Sequence, residues 1–186
     1  RTGSRSDEAI TLSNLAQNYD SQGAYADATP LYDQALAIHQ AEGDRIGEAT
    51  VVENIAGNDA ARGRYQEALE GYRNALTVFR EAGRLYQQAV ALSNLATLYA
   101  TLGRNDEARA SYEEALTLRR RLGDRAGEGV VQGNLAALDY AAGNYEQALA
   151  GYQAAEAIAM ETGDASAAAT WQNHRGASLI ELERSQ

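Results

Sequence analysis

Four asparagines, Asn14, Asn54, Asn94 and Asn134, recur at one constant step of forty positions without slippage. Their neighbours return with them: SNLA at 13–16, ENIA at 53–56, SNLA at 93–96 and GNLA at 133–136. A strict period of this length constrains a chain more than its composition does. A single unit so short cannot bury its own apolar face, so it must bury it on the next unit. Other columns keep the same step. Ala16, Ala56, Ala96 and Ala136 follow the asparagines by two, and Gly23, Gly63, Gly103 and Gly143 by nine. Further on come the columns of Ala28, Tyr32 and Ala35, and Gly43, Gly83, Gly123 and Gly163 close the units.

Each unit reads as two helices. In the first unit they span about Ser4 to Gln22 and Tyr25 to Glu42, stopped at Gly23 and Gly43, where a positive φ is tolerated. Asp44, Asp124 and Asp164 stand where the next helix needs an N-cap, and Ser4 occupies the matching place at the start. Arg45 and Arg125 are spaced to pair with Glu48 and Glu128 three residues on. Alanine columns mark close helix contacts and tyrosines fill the wider gaps. On the first helix, Leu12, Leu15, Ala16 and Tyr19 make the face for burial against the paired helix. Pro30 falls in the second turn of its helix and is expected to disturb it. Units 2 and 4 alone share Asp59/Asp139 and Gly71/Gly151, which suggests duplicated pairs; the aspartates read as polar relief on the helix or as part of a site.

The columns Leu15, Ala16, Tyr19, Ala28, Tyr32 and Ala35 resemble the tetratricopeptide-repeat (TPR) pattern over essentially the whole chain. Two departures mark the longer kind, with its forty-residue repeat. The early tryptophan is replaced by Leu12, Val52, Leu92 and Gln132, and the closing proline by Gln40, Arg80, Arg120 and Met160. That kind occurs in kinesin light chains, in Leu-Gly-Asn-repeat spindle adaptors and in bacterial TPR regulators. The expected fold is all-α: an α-solenoid of stacked antiparallel helix pairs, forming one domain over 1–186. It comprises four units (8–47, 48–87, 88–127 and 128–167) and a capping helix over about 165–183, with Trp171 as its packing anchor. The resemblance implies a module that binds proteins or peptides on a concave side lined by the first helices.

Composition removes several function classes. The chain has no cysteine, and all 16 of its basic residues are arginine. Thiolate nucleophiles, Cys-based zinc sites, phosphate-loop lysines and Schiff-base lysines are therefore absent from this sequence. No HExxH, GxSxG or histidine pair at metal-ligand spacing occurs, so no catalytic residue, metal or cofactor is expected. A net charge of −10 argues against a nucleic-acid partner. The one basic cluster, Arg119, Arg120, Arg121 and Arg125, lies at a helix C-terminus, where the dipole favours cations. No apolar run approaches the length a membrane span needs, so no membrane partner is expected. The lack of cysteine and of a signal core points to the cytoplasm. The lysine-free, arginine- and alanine-rich composition points to a GC-rich bacterial genome. The N-terminus RTGSRSDE, without a starting methionine, reads as part of a longer protein.

Asparagine is a mediocre helix former, so four at one position require a reason. Around Asn14 the positions one turn back and one and two turns on are Ile10, Gln17 and Ser21. The matching sets are Thr50, Gly57 and Ala61 around Asn54; Val90, Thr97 and Thr101 around Asn94; and Val130, Ala137 and Ala141 around Asn134. None of these 16 residues is charged, where a 23% charged chain predicts about four. Such a face is either buried between stacked units or lines a groove. In the groove, the carboxamides would hydrogen-bond the N–H and C=O of an extended peptide. Ile10, Val90 and Val130 would then supply apolar contact, and Gln17, Thr50, Thr97 and Thr101 polar contact. His174 takes the asparagine column in the final helix and would end the groove or cap the array. The alternative function is a structural or regulatory arm that self-associates or packs on an effector domain outside this chain.

Overall fold

The computed structural model describes residues 3–184, and among them it contains helices and no strand. The helices are α1 (Gly3–Ser21), α2 (Tyr25–Glu42), α3 (Arg45–Ala61), α4 (Tyr65–Glu81) and α5 (Leu85–Thr101). They continue with α6 (Asn105–Leu122), α7 (Arg125–Ala141), α8 (Tyr145–Thr162) and α9 (Ala165–Arg184). A new helix thus begins at every half-period of the repeat. The punctuation is glycine: Gly23, Gly43 and their six successors hold φ between 65° and 77°, a region closed to most side chains. Asp44, Asp124 and Asp164 each accept a hydrogen bond from the backbone N–H three residues on, at 3.0, 2.9 and 2.9 Å, satisfying donors the next helix would leave orphaned. Helix α1 begins at Gly3, one residue before the expected start. Ser4 therefore lies inside its first turn, and its side chain is outside the described residues.

The chain forms two compact units, residues 1–98 and 99–186. In the first, Ala9, Ala16, Ala28 and Ala35 are fully buried, with Tyr32 and Val51 beside them. Alanine at the contact lets the helices of each pair approach closely, while the tyrosine fills the space this leaves. Leu15 departs from expectation. It is 46% exposed, whereas Leu95 in the same column is buried. Both leucines stand beside a fully buried alanine, Ala16 and Ala96, so the difference comes from what packs around each helix and not from the helix face itself. Helix α2 runs unbroken through Pro30. Pro30 is exposed, and its carbonyl accepts from Gln34 Nε2 at 3.1 Å, so the expected disturbance does not interrupt the helix. Arg45 pairs with Glu81 at 2.9 Å rather than with Glu48, which instead receives Gln40 Nε2 at 3.2 Å. The side chain reaches across to α4, the other helix of its own pair, instead of along α3.

In the second unit, Ala136, Ala148 and Tyr152 make the core around which Tyr140 and Trp171 pack. Arg125 pairs with Glu128 at 2.7 Å, as its spacing predicts, and also with Glu161 at 2.6 Å. The basic cluster is largely neutralised locally. Arg119, itself buried, pairs with Asp124, and Arg120 pairs with Glu128 at 2.8 Å. Gly151 exists because of its neighbour: a Cβ there would stand 2.7 Å from Ala136 Cβ. Gly→Ala in a helix interior ordinarily gains about 1 kcal/mol. Here the contact is with another Cβ on a packed helix, which cannot swing aside. Gly151→Ala is therefore expected to destabilise by roughly 1–2 kcal/mol, read as a lower thermal midpoint by circular dichroism.

Candidate functional site

In the first unit the uncharged face of the first helices is open to solvent rather than sealed between pairs. Ile10, Asn14, Gln17 and Thr50 are exposed and Asn54, Val90 and Asn94 half-buried. None of the 16 positions of that face is buried in either unit, and Asn54, Gly57, Val90, Asn94 and Asn134 are half-buried. Two clefts adjoin along this surface. One, of about 350 Å³, is lined by Ile10, Asn14, Gln17, Thr50 and Asn54, together with His39 and Asp44. The other, of about 370 Å³, is lined by Gln17, Asn54 and Asn94, with Asp20, Glu53 and Tyr72 among its walls. Gln17 and Asn54 belong to both, so they stand where the two clefts meet.

The asparagines of the column are not equivalent. Asn94 Nδ2 donates to Glu53 Oε1 at 3.0 Å, joining α5 to α3 within the first unit, which is the stacking role. Asn54 Nδ2 is buried and has no hydrogen-bond acceptor. A buried amide N–H without a partner costs about 1–3 kcal/mol, so its presence on a cleft wall calls for an acceptor from outside. Asn14 is simply exposed, and Thr97, also exposed, donates back to the Ser93 carbonyl at 3.0 Å.

The acidic wall of the second cleft lies outside the residues that the repeat pattern picks out. Glu53 is 8% exposed, and burial lifts its carboxyl to about 7 despite the opposing hydrogen bond from Asn94. Burial, then the Glu53 and Asp59 charges, push the Tyr72 hydroxyl up to about 12. Asp20 accepts from Tyr32 Oη and from Asn58 Nδ2, both at 2.7 Å, and burial with this hydrogen bond raises the Tyr32 hydroxyl as well. Asp59 is paired with Arg64. A signal for Glu53 did stand in the sequence. Its column holds serine in units 1 and 3 and glycine in unit 4, so ENIA is the one copy with a charge beside the asparagine.

In the second unit, Thr101 and Val130 are exposed and Asn134 half-buried. His174 is exposed, and its ring stacks on Tyr152 at 5.2 Å between centroids. Tyr152 also stacks on Trp171, at 6.1 Å. The indole lies over Gly133, where a Cβ would come within 2.5 Å of the ring. The space that Glu53 occupies in its own repeat is thus matched here by a glycine under an aromatic ring. Asp139 is held by Arg109 from the preceding pair. Among the described residues no helix is long and apolar enough to cross a membrane, and no three His, Cys, Asp or Glu side chains gather as metal ligands.

Two family models described as tetratricopeptide repeat match, over residues 47–121 and 9–42. A model described as anaphase-promoting complex subunit 5 matches residues 131–179. No match is found among curated proteins. Solved structures are similar throughout. BtubC (BKLC) from P. vanneervenii is 20% identical, with a TM-score of 0.68 over 98% of this chain and 91% of that one. A Podosopora anserina protein described as a putative kinesin light chain with nearly identical TPR-like repeats is 19% identical, with a TM-score of 0.77 over 97% and 89%. Aspartyl phosphate phosphatase F from Bacillus subtilis is 13% identical, with a TM-score of 0.86, and this chain covers 48% of it. At such identities the likeness concerns the fold, an all-α solenoid of helix pairs.

Proposed function

The chain belongs to the tetratricopeptide-repeat family, and from that premise we propose that the open, asparagine-bearing surface of its first helices binds an extended segment of a partner protein. Tetratricopeptide-repeat folds are typically non-catalytic interaction modules, and the role is binding rather than chemistry. The observation that carries the reading is Asn54 Nδ2, buried and without an acceptor where the two clefts meet. A peptide carbonyl laid along the surface satisfies it, and the carboxamide oxygen can accept the neighbouring peptide N–H. Ile10 and Thr50 flank the first cleft and supply apolar and hydroxyl contact. Val90, Thr97, Thr101, Asn134 and Val130 extend the same face in sequence, with His174 in the asparagine column beyond them.

Asn14→Ala combined with Asn54→Ala tests this, because Asn14 is exposed and Asn54 Nδ2 has no acceptor among the described residues, whereas Asn94→Ala also releases Glu53. Phage-displayed random heptapeptides selected on the unaltered chain are expected to lose at least about tenfold in affinity for the double variant, whose helicity is unchanged. Equal affinity for both proteins rejects the surface as the peptide site. Light scattering over a range of concentrations checks the alternative of self-association, which a constant monomer mass excludes.

A further inference from the structure

The second cleft of the first unit carries an imbalance that peptide backbone alone does not relieve. Two carboxylates line it, Asp20 from α1 and Glu53 from α3, and the ion pairs of the described residues include neither. Their partners are neutral: Tyr32 and Asn58 for Asp20, Asn94 for Glu53. Glu53 is more than nine-tenths buried, and a carboxylate in that position is normally paired or strongly disfavoured. Beside it in sequence, Asn54 presents its buried, acceptorless N–H on the same wall. The cleft therefore asks for two things at once, a cation for the carboxylates and a carbonyl oxygen for the amide.

We infer that this cleft receives the side chain of an arginine in the bound segment, its guanidinium against Glu53 and Asp20 and a backbone carbonyl of the segment on Asn54 Nδ2. The inference rests on the proposed function, since it assigns a residue to the segment bound there. Guanidinium fits better than ammonium for physical reasons. Its five donors form a planar fork that can meet acceptors on two different helices, and it is more weakly hydrated, so burying it costs less. The volume of about 370 Å³ accommodates the group together with its aliphatic stem, which can lie along the Tyr72 ring at the cleft wall. The corresponding place in the second unit cannot do this, because Gly133 stands in the Glu53 column and Trp171 covers it. The chain thus distinguishes one of its repeats as the reader of a positive charge.

The test uses the full chain, labelled with nitrogen-15, and three probes: the pentapeptide acetyl-Ala-Ala-Arg-Ala-Ala-amide, the same peptide with citrulline for arginine, and methylguanidinium alone. Citrulline keeps the shape and removes the charge. Backbone amide shifts at Glu53, Asn54 and Gly57 report occupancy. The arginine peptide is expected to bind at least about tenfold more tightly than the citrulline peptide, with methylguanidinium weaker than the arginine peptide. Glu53→Gln, which keeps an acceptor for Asn94, is expected to erase that ratio. Equal binding of the two peptides overturns the arginine assignment and leaves the peptide-binding reading standing. Methylguanidinium binding as tightly as the arginine peptide overturns the partner segment as the source of the cation, and the peptide-binding reading of this cleft with it. Shifts that depend on protein concentration without any probe show a second copy in the cleft and overturn the inference, as does the absence of shifts with all three probes.

Discussion

Glu53→Gln is expected to make the protein more stable at pH 8, by about 2–3 kcal/mol, while leaving its stability at pH 4 unchanged. Burial raises the Glu53 carboxyl from its ordinary 4.5 to about 7, so the folded chain binds the proton more tightly than the unfolded chain does. The stability this group contributes is fully present below about pH 4.5, declines as pH rises, and is lost above about pH 7. At about 1.36 kcal/mol per pH unit between the two values, the loss is about 3 kcal/mol. Burial raises the Glu53 carboxyl, and the hydrogen bond from Asn94 opposes it without overcoming it. Tyr72 from α4 is neutral across this range, Asp59 on α3 is paired with Arg64, and Asn94 from α5 offers one N–H. Glutamine has the shape of the neutral acid and cannot ionise, so its variant escapes the decline. Urea unfolding at pH 4, 5.5 and 8 measures the difference, which is expected to grow steadily along that series. A constant difference at all three values means that burial does not govern this carboxyl. The same substitution is the one expected to remove arginine discrimination, so one variant is stabilised and loses a binding property. That opposition is expected where a site holds an uncompensated charge for its ligand.

The second large effect is expected at Gly133. A Cβ there would lie 2.5–2.7 Å from three atoms of the Trp171 ring, and the ring is also held by its stack on Tyr152. Gly133→Ala must therefore displace the indole, opening the α9 contact with the core of Ala136, Ala148 and Tyr152. A destabilisation of roughly 2–3 kcal/mol is expected, against the gain of about 1 kcal/mol that alanine normally brings to a helix interior. Trp171 is the chain's only tryptophan, so its fluorescence reports the change directly, as a red shift in the folded state. Gly176→Ala on α9 is the control. Nothing lies within 4 Å of its added Cβ, so it is expected to stabilise by about 0.5–1 kcal/mol and leave the emission in place. Destabilisation by both variants to the same degree would show that α9 is sensitive to any added side chain, not that the indole is seated on Gly133.

What could be read from residues alone follows from periodicity. The constant repeat step, a glycine after each helix and the aspartate caps place each helix to within a residue or two, because these devices act through local backbone geometry. The alanine and tyrosine columns are the buried ones for the same reason, since one face of a regular helix must be the packed face. The uncharged asparagine-bearing surface is also legible as one helix face, and its residues are exposed or half-buried. What local pattern left undecided was the partner of each polar group. Arg45 has Glu48 at the right spacing and takes Glu81 instead, because the antiparallel partner helix α4 brings a carboxylate as close as its own helix does.

The same holds for the asparagines. Their recurrence made them one ladder in sequence, but each side chain's acceptor comes from another helix. Asn94 finds Glu53, and Asn54 finds none. Whether an amide is satisfied depends on which atoms of neighbouring helices come within about 3 Å of it, a distance no repeat pattern encodes. Sequence by itself determined the helices, their order and the faces they bury, since those depend on spacing along one chain. Only the tertiary structure decided that a single odd letter in ENIA becomes a buried carboxylate on a cleft wall, because burial is a property of everything packed around a residue.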